Sequence, residues 1–127
     1  MKFFFSIVCA TFNNKNISKL INSLKKQKTK NFELIICDQN KNNYIKKNIL
    51  INKPNNFRKK YIKTKLGLSR SRNEGIKNSK GKYLIFFDDD ITISNNFLYN
   101  LQKIIINKNL DLICYRTVNQ PENKPLL

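Results

Sequence analysis

Five apolar and aromatic residues, Tyr83-Leu84-Ile85-Phe86-Phe87, run without a break into three carboxylates, Asp88-Asp89-Asp90. An apolar run of this length reads as a strand buried on both faces, the usual state of strands in a parallel α/β sheet. Ligands of such sheets bind just beyond the carboxyl ends of the strands, and the aspartates stand there. Three adjacent carboxylates repel one another, so a fold tolerates them more easily when a cation or a metal-bound phosphate lies against them. The stretch therefore points to a metal-dependent phosphate-ester site. The competing reading is a strand followed by an acidic turn, since Asp is common in turns.

The chain before this stretch repeats the alternation of strand and helix. Residues 3–9 form a first strand by the same criterion. Ile17, Leu20, Ile21 and Leu24 then follow helical spacing, with Lys19, Lys25 and Lys26 on the opposite face and Asn14 or Asn16 as a cap. A second strand, Phe32–Cys37, ends at Asp38, completing a βαβ unit whose strands lie parallel. Residues 39–56 are polar, with a short helix expected at about 43–51 and stopped by Pro54. Phe57–Ile62 reads as a short edge strand. Gly67-Leu68-Ser69 opens a helix with Leu68, Arg72 and Ile76 on one side, Ser69 as its N-cap and Gly81 ending it or its trailing turn. A last helix at about 95–107 has Ser94 as cap and Leu98, Leu101 and Ile105 on its buried side. Leu110–Tyr115 reads as a further strand. The expected architecture is an α/β, Rossmann-like, mostly parallel sheet flanked by helices. Residues 1–116 form one domain and 117–127 an irregular tail.

Composition narrows the class. With 127 residues, 40% of them hydrophobic, and only three prolines, the chain can bury a core and is not of a disordered type. Its apolar stretches fall short of the roughly 20 residues of a membrane-spanning helix. The opening Met1–Ala10 superficially resembles a signal peptide, but it carries one lysine and runs directly into a turn and an amphipathic helix, as a buried strand would. Cys9, Cys37 and Cys114 are widely spaced in apolar runs and the chain has no histidine. A zinc site is thereby disfavoured, and a Cys–His nucleophile is excluded by the absence of histidine. An odd number of buried thiols suits a reducing cytoplasm. The formal net charge of +17 suggests polyanion binding. However, 21 Lys against 4 Arg, with equally abundant Asn, is what A/T-rich codons produce, and the lysines form no block. Peripheral contact with the inner face of a membrane is a plausible by-product; nucleic acid is not an expected partner.

Three strand ends carry polar clusters, Ala10-Thr11-Phe12-Asn13, Asp38-Gln39-Asn40 and Asp88-Asp89-Asp90, and a parallel sheet gathers them at one edge. Gly67 through Gly75 starts a helix at that edge, with amides and two arginines suited to phosphate. No Gly occurs in residues 10–15, so neither a Rossmann dinucleotide fingerprint nor a P-loop is present.

These segments together resemble family 2 glycosyltransferases, GT-A-fold enzymes that use nucleotide-diphosphate sugars. Ser6–Asn13 is similar to the family's opening strand and its Thr-aromatic-Asn turn, and Glu33–Asp38 to its second strand. Gly67–Gly81 matches its Arg-Asn-containing helix, and Lys82–Ile91 matches the strand with the DxD motif. The resemblance covers about residues 4–115, and 67–91 is its most specific block. It implies that Asp88 and Asp90 hold a divalent metal, Mn²⁺ or Mg²⁺, against the donor diphosphate, with Asp89 able to replace a neighbour as ligand. It implies nucleotide-sugar contacts from Ala10, Thr11, Phe12, Asp38, Arg72, Asp88 and Asp89, with Asp38 facing the base; Asn13 fixes the turn. The alternative for Arg72 is a buried salt bridge to an aspartate, and for Asp38 a plain turn residue.

Two features depart from the family. The second strand continues Asp38-Gln39-Asn40-Lys41 in place of Asp-Asp-Gly-Ser. The acceptor-binding half, with an Asp or Glu as general base for inverting transfer, is not matched: the only acid after Asp111 is Glu122. The expectation is a truncated GT-A-like domain that retains donor binding, its general base lying beyond Leu127, from an enzyme acting on a glycan or lipid-linked acceptor in cell-surface glycan synthesis. The competing functions are a basic module binding nucleic acid or anionic membrane, and a receiver-like signalling domain. Residues 10–15 contain no acid, which disfavours the latter.

Overall fold

The computed structural model of the protein describes residues 2–13, 17–50 and 56–114. Four strands form one sheet: β1 (Phe3–Thr11), β2 (Phe32–Asp38), β3 (Arg58–Lys63) and β4 (Gly81–Phe87). Their order is β3-β2-β1-β4, and every pairing is parallel. Three helices flank it: α1 (Ile17–Lys25), α2 (Leu68–Lys77) and α3 (Phe97–Lys108). A π-helical turn, Ile45–Leu50, occupies the place of the expected short helix; its supposed stop at Pro54 lies outside the described residues.

Alternation along the strands sorts the core into two faces. Phe5, Ile7, Cys9, Leu34, Ile36, Ile85 and Phe87 share one cluster with Ile17, Leu20, Ile21 and Leu24 of α1 and Phe97, Leu98 and Ile105 of α3. Val8, Ile35 and Cys37 face the other way, toward α2. That helix approaches so closely at Gly75 that a Cβ there would collide with the Val8 methyl groups and press on Cys37 Sγ. All seven residues of β2 are buried, so the central position belongs to β1 and β2.

The expectation for β4 is therefore corrected. Ile85 and Phe87 are buried, but Leu84 and Phe86 on the opposite side are 41% and 38% exposed. The helix α2 packs over β1 and β2 and leaves that side of β4 uncovered among the described residues, and β4 stands at the edge of the sheet. An aromatic run marks a strand but cannot say whether one face or two will be covered.

Helix boundaries also differ from the expected ones. The N-cap of α2 is Gly67, with Ser69 inside the first turn and no side-chain cap. Gly67 has φ 137°, a value that L side chains rarely adopt. The helix ends at Asn78, and Gly81 is already the first residue of β4. A Cβ at Gly81 would meet the backbone of Phe5 and Ser6, so its requirement is steric. The N-cap of α3 is Asn96, not Ser94, and it bonds through no side chain. Instead the buried Gln27 reaches across: its Oε1 accepts the Leu98 amide at 3.1 Å, and its Nε2 donates to the carbonyls of Ser94 and Ser23. Residues 110–114 are irregular, not a strand, and pair with no strand among the described residues. Asn109, in the left-handed conformation at φ 50°, turns the chain out of α3, and Leu112 projects at 81% exposure. Cys114 is exposed while Cys9 and Cys37 are buried, so only two of the three thiols pack as apolar groups.

Candidate functional site

Register delivers the polar strand ends to one edge. Thr11 lies opposite Asp38, and Asp38 opposite Lys63. On the other side Cys9 lies opposite Phe87, which brings the following aspartates level with the end of β1. The fully buried Thr11 donates its hydroxyl to Asp89 Oδ2 at 2.7 Å. Asp89 is thereby turned toward the mouth of β1, while Asp88 and Asp90 on either side remain exposed.

Asp38 is wholly buried and accepts from four donors. Its Oδ1 takes the backbone and side-chain N–H groups of Asn40 at 2.9 and 2.8 Å, and its Oδ2 takes the Tyr61 hydroxyl at 2.6 Å and Lys63 Nζ at 3.4 Å. Burial, with the bond to this carboxylate adding to it, pushes the Tyr61 phenol well above its usual value. The Asn40 Oδ1 in turn accepts the backbone N–H of Asn13, which sits in the left-handed conformation at φ 52°. The turn after β1 is thus fixed by the loop after β2.

Above these groups opens a cleft of about 590 Å³, lined by Phe12 and Asn13, by residues 39–42 and by residues 63–66. Its charged lining groups are all cationic: Lys41, Lys63 and Lys65. Amide side chains and the half-exposed Phe12 ring complete it, a lining suited to a planar polar ring carrying negative charge. Phe12 alone of the sequence-predicted residues lines this cleft. Thr11 and Asp38 are wholly buried and do not line it, and Ala10 packs with Val8 and Cys37.

Arg72 projects from α2 to within 3.5 Å of Asp88 Oδ1, and its guanidinium lies 5.7 Å from the centre of the Phe86 ring. With side-chain exposures of 37% and 68%, this is not a buried salt bridge. Such a pair is weak in water and leaves both groups free to engage a ligand. No lysine pairs with the three aspartates among the described residues. Among the described residues no group of three His, Cys, Asp or Glu side chains converges as a ready metal cage either. Two exposed carboxylates nevertheless fit a hard cation of the Mg²⁺ type, which takes one or two carboxylates and completes its shell with phosphate oxygens and water.

The far end of the sheet fixes where β4 begins. The buried Glu33 of β2 accepts Ser6 Oγ at 2.6 Å and the Lys80 amide at 2.7 Å, and pairs with Arg58 of β3. Ser6 Oγ also accepts the Gly81 amide at 2.7 Å. One carboxylate thereby sets the register from which Asp88–Asp90 emerge. Glu33, Gln27, Gln39 and Tyr61 belong to no sequence motif that assigns them these roles. For Glu33 and Gln39 the available signal was a charged or amide residue within or beside an apolar run, which must find partners when buried; Gln27 and Tyr61 carried no such signal.

The chain is similar to known proteins in fold and in sequence. S. aureus TarS (residues 1–349), solved in complex with UDP-GlcNAc, superposes with a TM-score of 0.74 at 25% identity over 91% of this chain and 37% of that one. S. aureus TarS as a longer chain gives 0.67 at 26% identity, over 91% of this chain and 23% of that one. The sheet and its helices are thus GT-A-like. In sequence, an uncharacterized glycosyltransferase of Haemophilus influenzae is 35% identical over 88 residues, which are 67% of this chain and 29% of that protein. The chain spans well under half the length of each of these relatives. The profile of glycosyl transferase family 2 matches residues 6–126, almost the whole sequence, and the chain belongs to that family.

Proposed function

We propose that the chain is the donor-binding part of a glycosyltransferase that uses a nucleotide-diphosphate sugar with Mg²⁺ or Mn²⁺, in the synthesis of a cell-surface glycan. The observation that carries this reading is the edge where β1, β2 and β4 end together, with Thr11 bonded to Asp89 and with Asp88 and Asp90 left open beside Arg72. The UDP-GlcNAc found in TarS makes a uridine diphosphate sugar the first donor to test.

In this reading the cleft takes the nucleoside, with the Phe12 ring against the base and the backbone of Ala10 and Thr11 behind it. Asp38 accepts from the base once Lys63, the most distant of its donors at 3.4 Å, gives way. Arg72 meets the diphosphate, exchanging its weak contact with Asp88 for a charge-assisted bond to phosphate. Asp88 and Asp90 hold the metal and Asp89 orients that pair through Thr11. The metal supplies positive charge against the diphosphate as it departs. The acceptor is a glycan or a lipid-linked sugar, whose hydroxyl needs a general base within hydrogen-bond reach. No helix among the described residues is long and apolar enough to cross a membrane. The lysine-rich surface suits the cytoplasmic face of an anionic membrane, where a lipid-linked acceptor would lie.

Calorimetry tests the reading. UDP binds more tightly with Mn²⁺ or Mg²⁺ present, and the double substitution Asp88→Ala/Asp90→Ala abolishes the metal-dependent part. Absence of UDP, GDP and dTDP binding with metal present refutes it. Salt-sensitive binding to nucleic acid or acidic vesicles that survives the same substitutions would favour a basic binding module instead.

A further inference from the structure

We infer that Gln39, which stands where the family's second strand usually continues with an aspartate, is a positioning residue linking the nucleoside cleft to the helix that carries Arg72. The inference rests on the donor-binding reading above. Gln39 is held from both sides. Its backbone N–H donates to the Thr11 carbonyl at 3.0 Å, carrying the β1–β2 ladder one residue past the strands. Its side-chain Oε1 accepts the Gly67 amide at 2.8 Å.

Gly67 is the N-cap of α2. The amide of an N-cap residue is commonly satisfied by a Glu or Gln three residues later in the helix. Here that position is Arg70, which has donors and no acceptor, and α2 makes no side-chain cap of its own. Gln39 supplies the missing acceptor from a different strand. A second tie lies alongside it: Thr64 Oγ1 and the fully buried Ser71 Oγ are 2.8 Å apart, and the Thr64 amide donates to the Asp38 carbonyl. Residues 64–66, one wall of the cleft, are thus suspended between the end of β2 and the first turn of α2. Arg72 is the next residue after Ser71 in that helix. Gln39 itself also lines the cleft, so its one side chain sets the width of the cleft and the placing of the guanidinium that the proposed function assigns to the diphosphate.

The substitution Gln39→Ala separates these roles. It frees the Gly67 amide, which then exchanges with solvent at least tenfold faster by NMR, while Gln39→Glu, which keeps an acceptor of the same reach, preserves the protection. UDP affinity with Mn²⁺ falls about tenfold in Gln39→Ala, and uridine affinity falls by less than threefold, because the loss lies in positioning Arg72 and not in reading the base. Unchanged Gly67 exchange in Gln39→Ala overturns the tether. Equal weakening of UDP and uridine overturns the coupling and makes Gln39 an ordinary part of the nucleoside wall. If the unsubstituted protein binds no UDP, the donor reading falls and takes the coupling with it, whatever the exchange measurement gives.

Discussion

Replacing Glu33 with Gln tests how the far end of the sheet holds the site. The side chain keeps its shape, and its remaining carbonyl can still accept Ser6 Oγ and the Lys80 amide, now 2.6 and 2.7 Å from one carboxylate oxygen. What it loses is the acceptor facing Arg58, and its new NH₂ group points donor against donor. A hydrogen bond to a charged partner contributes about 1.5–3 kcal/mol. The Arg58 side chain is 32% exposed, so water recovers part of that, and the loss settles near 2 kcal/mol. For a chain of this size each kcal/mol lowers the melting temperature by about 3–5 °C, so Glu33→Gln melts about 6–10 °C lower by circular dichroism. Glu33→Ala also strands the Ser6 hydroxyl and opens a cavity, and costs about 3–4 kcal/mol. In a double-mutant cycle Arg58→Met recovers about 1 kcal/mol in the Glu33→Gln background, because it removes the opposed donor. A melting point within about 2 °C of the unsubstituted protein would refute the argument, since the carboxylate would then hold nothing that an amide does not.

Two further outcomes follow from packing and burial. Gly75→Ala would gain up to about 1 kcal/mol from helix propensity alone, but the new Cβ meets the Val8 methyl groups, so the urea midpoint falls by the equivalent of about 1–3 kcal/mol; adding Val8→Ala reverses the sign of the Gly75 change. Burial, with the Glu74 carboxylate adding to it, pushes the Cys37 thiol up to about 11. A folded-state value above the unfolded one leaves stability intact below about pH 9 and removes it as pH rises toward 11. The urea midpoint measured from pH 7 to 11 therefore falls over that interval, and falls less steeply in Cys37→Ala.

Much of this architecture can be read from the chain because it depends on local pattern. The helical spacing of Ile17, Leu20, Ile21 and Leu24 and the unbroken apolar runs of β1 and β2 dictate a βαβ unit, since nothing else buries both patterns. That unit forces the strand ends to one edge, which is how Asp38 and Asp88–Asp90 could be named as neighbours of Thr11 from sequence. The motif carried by Gly67–Gly81 and Lys82–Ile91 carried the family. Charge was informative mainly in what it failed to concentrate.

Tertiary structure decided which surfaces are covered and which polar groups find partners. Among the described residues one face of β4 is left open because α2 packs over β1 and β2, where Gly75 permits an approach that a side chain would block, a fact about distance that no periodicity contains. The same holds for the caps: a serine ahead of a helix signals a local bond, but α3 takes its acceptor from Gln27 and α2 from Gln39, each remote in sequence. Sequence registers what a residue can do within a few positions of itself. Whether a buried amide or carboxylate is satisfied depends on atoms that only the closed sheet brings within hydrogen-bond reach, and the orientation of Asp89 toward Thr11, with its neighbours left open, is set there.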